Sequence, residues 1–212
     1  MNIRTFIAAA ALVISAAGAA NAQTFTLDWR VNGVNAVSVS PGSTVVVTAI
    51  ASWNPGTYGL GGTQFRTTLA GADMSDVLMY TEAMGLGRSP LFRFGPPQVL
   101  TDSMSGGGRS ITAAANAPID AAQGPQFINP LFTTANPVEV FRFTLTAGAA
   151  GRTIDVGSQI TGLTLVSNAM GMPVTTPYQR AVDGATISIV PTPGSLALLG
   201  LGGALTLRRK RK

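Results

Sequence analysis

Thr24-Phe25-Thr26-Leu27-Asp28-Trp29-Arg30-Val31 alternates strictly between polar and apolar residues. A strand turns successive side chains to opposite faces, so Phe25, Leu27, Trp29 and Val31 share one side and Thr24, Thr26, Asp28 and Arg30 the other. That period of two marks a strand with one face on a core and one in water, as antiparallel sheets provide. Downstream, residues 36–40 turn Val37 and Val39 inward, Pro41-Gly42 reads as a turn, and residues 43–53 are rich in β-branched side chains. Further strands are expected at residues 63–70, 139–147, 152–156, 160–166 and 185–190, with Phe141, Phe143 and Leu145 marking one inner face. Long helical periodicity is absent. The economical fold is all-β, a single antiparallel β-sandwich spanning residues 23–189.

Two segments read differently. Asp73-Met74-Ser75-Asp76 predicts a short helix through Met84, with Asp73 as N-cap and Asp76 in the first turn. Residues 85–137 are dominated by Gly, Ala, Pro and Ser, and a strand near residues 98–102 is expected within them. Gly56-Thr57-Tyr58-Gly59-Leu60-Gly61-Gly62 lacks the Lys-Ser/Thr of a phosphate-binding loop and reads as a flexible connection.

The chain carries a formal charge of +5, but its cations sit at the ends. Arg4 lies near the start and Arg208, Arg209, Lys210, Arg211 and Lys212 close the chain, which leaves eight arginines against nine acids in between. A body with one net negative charge gives no electrostatic support to a nucleic-acid partner. There is no His and no Cys. Imidazole bases, thiolate nucleophiles and the usual transition-metal ligands are therefore excluded, and no catalytic residue, metal ligand or cofactor site is assigned. Carboxylates alone could support a glycan hydrolase, for which Asp73 and Asp76 are the closest pair in sequence. No Asp-x-Asp-x-Asp-Gly spacing for calcium occurs.

Trp53 and Tyr58 flank Asn54-Pro55-Gly56 at a strand end and are the candidate carbohydrate contacts. An exposed indole there could stack on a sugar ring; the competing role is to plug the open end of the sandwich.

The termini read as addresses. Residues 1–22 combine Arg4, an apolar stretch and Ala20-Asn21-Ala22, which predicts a secretory signal peptide cut by signal peptidase between Ala22 and Gln23. At the other end, residues 190–194 (Val190-Pro191-Thr192-Pro193-Gly194) lead into an apolar helix at 195–207 and a basic tail at 208–212. Thirteen helical residues reach about 20 Å against a hydrocarbon core of roughly 30 Å, so this is a short transmembrane anchor. The basic tail would hold the C-terminus in the cytoplasm.

Val190-Pro191-Thr192-Pro193, the apolar helix and the terminal Arg/Lys cluster resemble the C-terminal sorting signal of the PEP-CTERM proteins. The resemblance implies export, transient anchoring in the inner membrane and processing by an exosortase. It also implies a cell-surface or extracellular-matrix destination, with extracellular polysaccharide as an associated partner. Where the name-giving motif has Glu, this chain has Thr192. Ser40-Pro41-Gly42-Ser43-Thr44-Val45-Val46-Val47, Gln64-Phe65-Arg66-Thr67-Thr68-Leu69, and Phe141-Arg142-Phe143-Thr144-Leu145 before Gly148-Ala149-Ala150-Gly151 make the body similar to cohesin-like and carbohydrate-binding β-sandwiches. The expected role is non-catalytic, with a carbohydrate-binding or adhesion module as the alternative and a carboxylate-based glycan hydrolase as a remote one.

Overall fold

The computed structural model describes residues 23–92, 101–105, 108–116, 132–175 and 177–192. The expected signal peptide, apolar helix, basic tail and Pro193 lie outside the described residues, as do residues 98–100. Among the described residues no helix is long and apolar enough to cross a membrane.

Twelve strands are described. In chain order they are β1 (Gln23–Val31), β2 (Ala36–Val39), β3 (Thr44–Trp53), β4 (Gly59–Ala70), β5 (Val77–Met79), β6 (Gly87–Arg88), β7 (Thr101–Ser105), β8 (Gly108–Asn116), β9 (Val138–Thr146), β10 (Arg152–Val166), β11 (Tyr178–Asp183) and β12 (Ala185–Ile189). They form two sheets: β11-β1-β3-β9-β5, with β6 also on β9, and β2-β12-β10-β4-β8-β7. The period of two in β1 is realised: Phe25, Leu27, Trp29 and Val31 are wholly buried. Across the two sheets Trp29 meets Phe65 edge-on at 5.9 Å and Phe65 meets Phe141 at 5.8 Å, and within the first sheet Trp29 meets Phe143 at 6.1 Å. Each fully buried large apolar side chain contributes about 1.5–3 kcal/mol of transfer free energy. The indole N–H of Trp29 donates to Ser158 Oγ at 2.7 Å, so the largest core side chain leaves no buried donor unpaired.

The sandwich is not purely antiparallel. β1 pairs in parallel with β11, and β12 in parallel with β2. The first and last described segments each run through one sheet and step into the other, β1 to β2 across Asn32-Gly33 and β11 to β12 across Gly184. Running side by side in one direction, they close one flank of the sandwich with a parallel ribbon. Asn32 and Gly33 both have positive φ, at 50° and 84°. A β-carbon on Gly184 would meet Val156 O at 2.8 Å, so the step between sheets needs glycine.

Three local expectations are corrected. The helix from Asp73 to Met84 is a turn, the strand β5 and a short 3₁₀ turn at Glu82–Met84. Asp73 does accept from the Ser75 N–H at 2.7 Å, but the chain then pairs Val77, Leu78 and Met79 with Thr146, Leu145 and Thr144, because β9 offers an unpaired edge. Gly59–Gly62 is the beginning of β4 rather than a flexible loop, since β10 runs unbroken for 15 residues and supplies partners as far as Val166. Within the Gly/Ala-rich region, β7 and β8 form a hairpin in which Ser105 pairs with Gly108. Residues 101 and 102 of the strand expected near 98–102 belong to it.

Candidate functional site

The site is built on the outer face of the second sheet. β4 alternates Phe65, Thr67 and Leu69 inward with Gln64, Arg66, Thr68 and Ala70 outward. Register then decides what stands beside them. Thr68 lies between Ser110 of β8 and Gly157 of β10, and Ser110 pairs onward with Ser103 of β7, which makes one cross-strand row. One step along, Arg66 lies beside Gln159. Arg66, Thr68, Ala70, Gly108, Ser110 and Gln159 line a groove of about 280 Å³ whose remaining lining comes from Leu69 and Arg109. Beside Thr68, a β-carbon on Gly157 would lie 3.4 Å from the Thr68 hydroxyl.

The polar network of the groove is well defined. Arg66 Nη2 donates to Ser110 Oγ at 3.2 Å, and the Ser110 and Ser103 hydroxyls lie 3.0 Å apart. Ser110 is 4 % exposed while Arg66 is exposed above it. Arg30, Arg88, Arg109, Arg142 and Arg152 all pair with carboxylates. Among the described arginines only Arg66 and Arg180 have no carboxylate partner, and Arg180 stacks over Tyr178 at the far edge of the other sheet. Asp155 is the acid on the same face as Arg66. It lies beside Ala70, about 13 Å along the strand, and accepts from the Thr186 hydroxyl at 3.1 Å.

The carboxylate pair singled out from the sequence is structural. Asp76 is buried, and its carboxylate takes two N–H groups of Arg152 at 2.5 and 2.6 Å and the Gly148 N–H at 2.8 Å. Burial pushes the Asp76 carboxyl up, but the Arg152 guanidinium and the N–H groups of Asp73 and Gly148 outweigh it and hold the group below the usual range. The Ser75 hydroxyl and N–H, with Arg152 beyond, lower Asp73 as well. These acids pin the turn before β5 to the β9–β10 connection.

The structure separates Trp53 from Tyr58. Trp53 is 7 % exposed and belongs to the core, so it plugs the sandwich end and presents no open face for a sugar ring. Asn136 clamps its backbone, accepting from the Trp53 N–H at 3.2 Å and donating to its carbonyl at 2.6 Å. Tyr58 is 45 % exposed and packs edge-on against Phe132 at 5.4 Å. The two rings do not form a platform. Of the sorting residues, Val190 is 43 % exposed and follows β12 directly, with its N–H donating to Val39 O at 2.9 Å, and Pro191 and Thr192 are also exposed.

Arg66, Thr68, Ser110 and Gln159 were not among the residues singled out from the sequence. The alternation of residues 64–69 already turns Arg66 outward; its neighbours are brought in from β8 and β10 by pairings that local pattern does not carry.

No family of known proteins matches the chain, and no curated protein matches it. Solved structures similar in shape are cohesin domains. The seventh type I cohesin of ScaB from Pseudobacteroides cellulosolvens has a TM-score of 0.48 and 16 % identity, covering 80 % of this chain and 94 % of its own. A type II cohesin from the Acetivibrio cellulolyticus cellulosome has a TM-score of 0.42 and 13 % identity over 77 % of this chain and 95 % of its own. The cohesin module of a Clostridium perfringens family 33 glycoside hydrolase has a TM-score of 0.42 and 9 % identity over 80 % and 100 %.

Proposed function

We propose that the chain is an exported, non-catalytic binding module of the cell surface or extracellular matrix. In this reading signal peptidase releases it at Gln23, the 190–212 segment holds it transiently in the inner membrane, and an exosortase-type enzyme processes that segment. The observation that carries the reading is the position of β12. It lies between β2 and β10 inside the second sheet as the last described strand, and the motif residues Val190, Pro191 and Thr192 leave it exposed. A processing enzyme can then act beyond the last strand without unfolding the body.

The acids support a non-catalytic role. A glycosidase needs two carboxyl groups facing a cleft, one of them with a raised pKa. Asp73 and Asp76 are instead both lowered and both engaged by Arg152. Glu82 is bound by Arg88, and Glu139 by Arg142. The binding surface in this reading is the outer face of β10-β4-β8-β7, with the groove at Arg66.

The test is a fusion of residues 190–212 to a neutral exported reporter in a host without exosortase. The reporter is expected in the inner membrane, and replacing Arg208, Arg209, Lys210, Arg211 and Lys212 by Ser is expected to release it or disturb its orientation, because a helix of about 20 Å depends on flanking charge. Equal retention in the same orientation by the Ser variant would refute the anchor.

A further inference from the structure

The outer face of the second sheet is unusual in what it lacks. β10 contributes Asp155, Gly157 and Gln159 to it, and β4 contributes Gln64, Arg66, Thr68 and Ala70. From β12 and β2, Thr186 and Ser188 stand beside Ala36 and Ser38. Ser110 and Ser103 extend it over β8 and β7. None of these carries an apolar side chain larger than alanine, and none is aromatic. Protein interfaces draw most of their energy from buried aromatic and aliphatic anchors seated in pockets. This face offers hydroxyls, amides, one guanidinium and, about 13 Å along the strand from it, the Asp155 carboxylate, which accepts from Thr186.

We propose that the groove at Arg66 binds the carboxylate of an acidic polysaccharide, a uronic-acid chain laid across the strands. This names the ligand of the binding module proposed above and rests on that reading. Arg66 supplies the charge. It is held over the groove through one hydrogen bond to Ser110, has no acid of its own, and keeps N–H groups for a bidentate carboxylate contact. The hydroxyls supply the direction. Ser103, Ser110 and Thr68 stand on three adjacent strands, and Gly157 opens the fourth. Strands repeat at about 4.8 Å, close to the length of one pyranose ring, so a chain crossing from Gly157 to Ser103 covers about 14 Å and meets the exposed hydroxyls of Thr68 and Ser103, with Ser110 buried between them holding Arg66. Gln159, next to Arg66, can donate to and accept from sugar hydroxyls. Without a stacking ring each contact is weak, and a polymer that repeats its carboxylate gains through avidity.

The test runs the full chain, in neutral detergent, through native gels containing polygalacturonate, neutral galactan or polyglutamate. Retardation is expected in polygalacturonate alone. R66Q is expected to weaken it on the order of ten-fold, and R66K to restore only part. R180Q removes the other arginine without an acid partner, on the other sheet, and is expected to behave as the parent. Equal thermal midpoints for R66Q and the parent show that loss is not misfolding, as the exposure of Arg66 predicts. The proposal is overturned if polygalacturonate does not retard the chain, if R66Q matches the parent, or if polyglutamate retards it as strongly, which would assign the groove to an acidic peptide. A chain that is exported and anchored by the fusion assay but not retarded leaves the delivery reading standing and removes only the uronate.

Discussion

Trp53 and Asp76 are each held from several sides, and each makes a single-residue prediction. Truncating a buried Trp removes a large transfer term and leaves a cavity, so Trp53→Ala is expected to cost about 3–5 kcal/mol and lower the thermal midpoint sharply whether or not sugar is present. Tyr58→Ala removes a half-exposed ring and is expected to cost under about 1 kcal/mol. Thermal unfolding of the pair separates plug from rim, and equal midpoints would remove Trp53 from the core. Asp76→Asn keeps the shape but removes the two-point carboxylate from Arg152 and leaves it only Asp73 at 3.6 Å, which is expected to cost about 3 kcal/mol at neutral pH. Because the folded Asp76 carboxyl lies below its unfolded value of about 3.9, its contribution is present above that value and lost as pH falls through the folded one. Urea midpoints between about pH 6 and pH 3 are therefore expected to fall less steeply in Asp76→Asn than in the parent. Parallel slopes would show that Asp76 is not the linked group.

Among the elements, β12 and β4 differ most from what their length suggests. β12 has five residues, yet it bridges β2 and β10, and Ile187 and Ile189 are buried. A chain stopped at Gly184 loses β12 and strands β2, and is expected not to fold, whereas one stopped at Thr192 folds; far-UV circular dichroism and solubility read the difference. At the start of β4, a β-carbon on Gly59 would meet Thr133 O at 2.6 Å, where Leu60 and Thr133 exchange backbone hydrogen bonds. Gly59→Val is expected to destabilise by about 1–3 kcal/mol through that overlap, measured as a fall in urea midpoint at unchanged slope. No loss would mean that residue 133 is not seated against the strand.

At the scale of the molecule, burial and hydrogen bonding must hold the body without covalent help, since the chain has no Cys. Residues 23–189 made without either end are expected to be a soluble monomer with a β-type circular dichroism spectrum. Its melting is expected to be indifferent to reductant. A predominantly helical spectrum would contradict the two-sheet assignment. Across the surface, five of the described arginines are neutralised by local acids, whereas Arg66 and Arg180 have no carboxylate partner.

The sequence alone determined the all-β class, the inward faces of β1, β2 and β9, and the burial of Trp29. All follow from periodicity and composition, which act within a few residues. Tertiary structure decided the rest. Only pairing partners distant in the chain could make Gly59–Gly62 a strand, turn the expected helix at Asp73 into β5, lay β1 parallel to β11, and bring Gln159 and Ser110 beside Arg66. A strand's hydrogen bonds are made with another strand, so a segment with weak local preference takes the conformation its neighbour offers, and a site assembled across three strands exists only once their register is set.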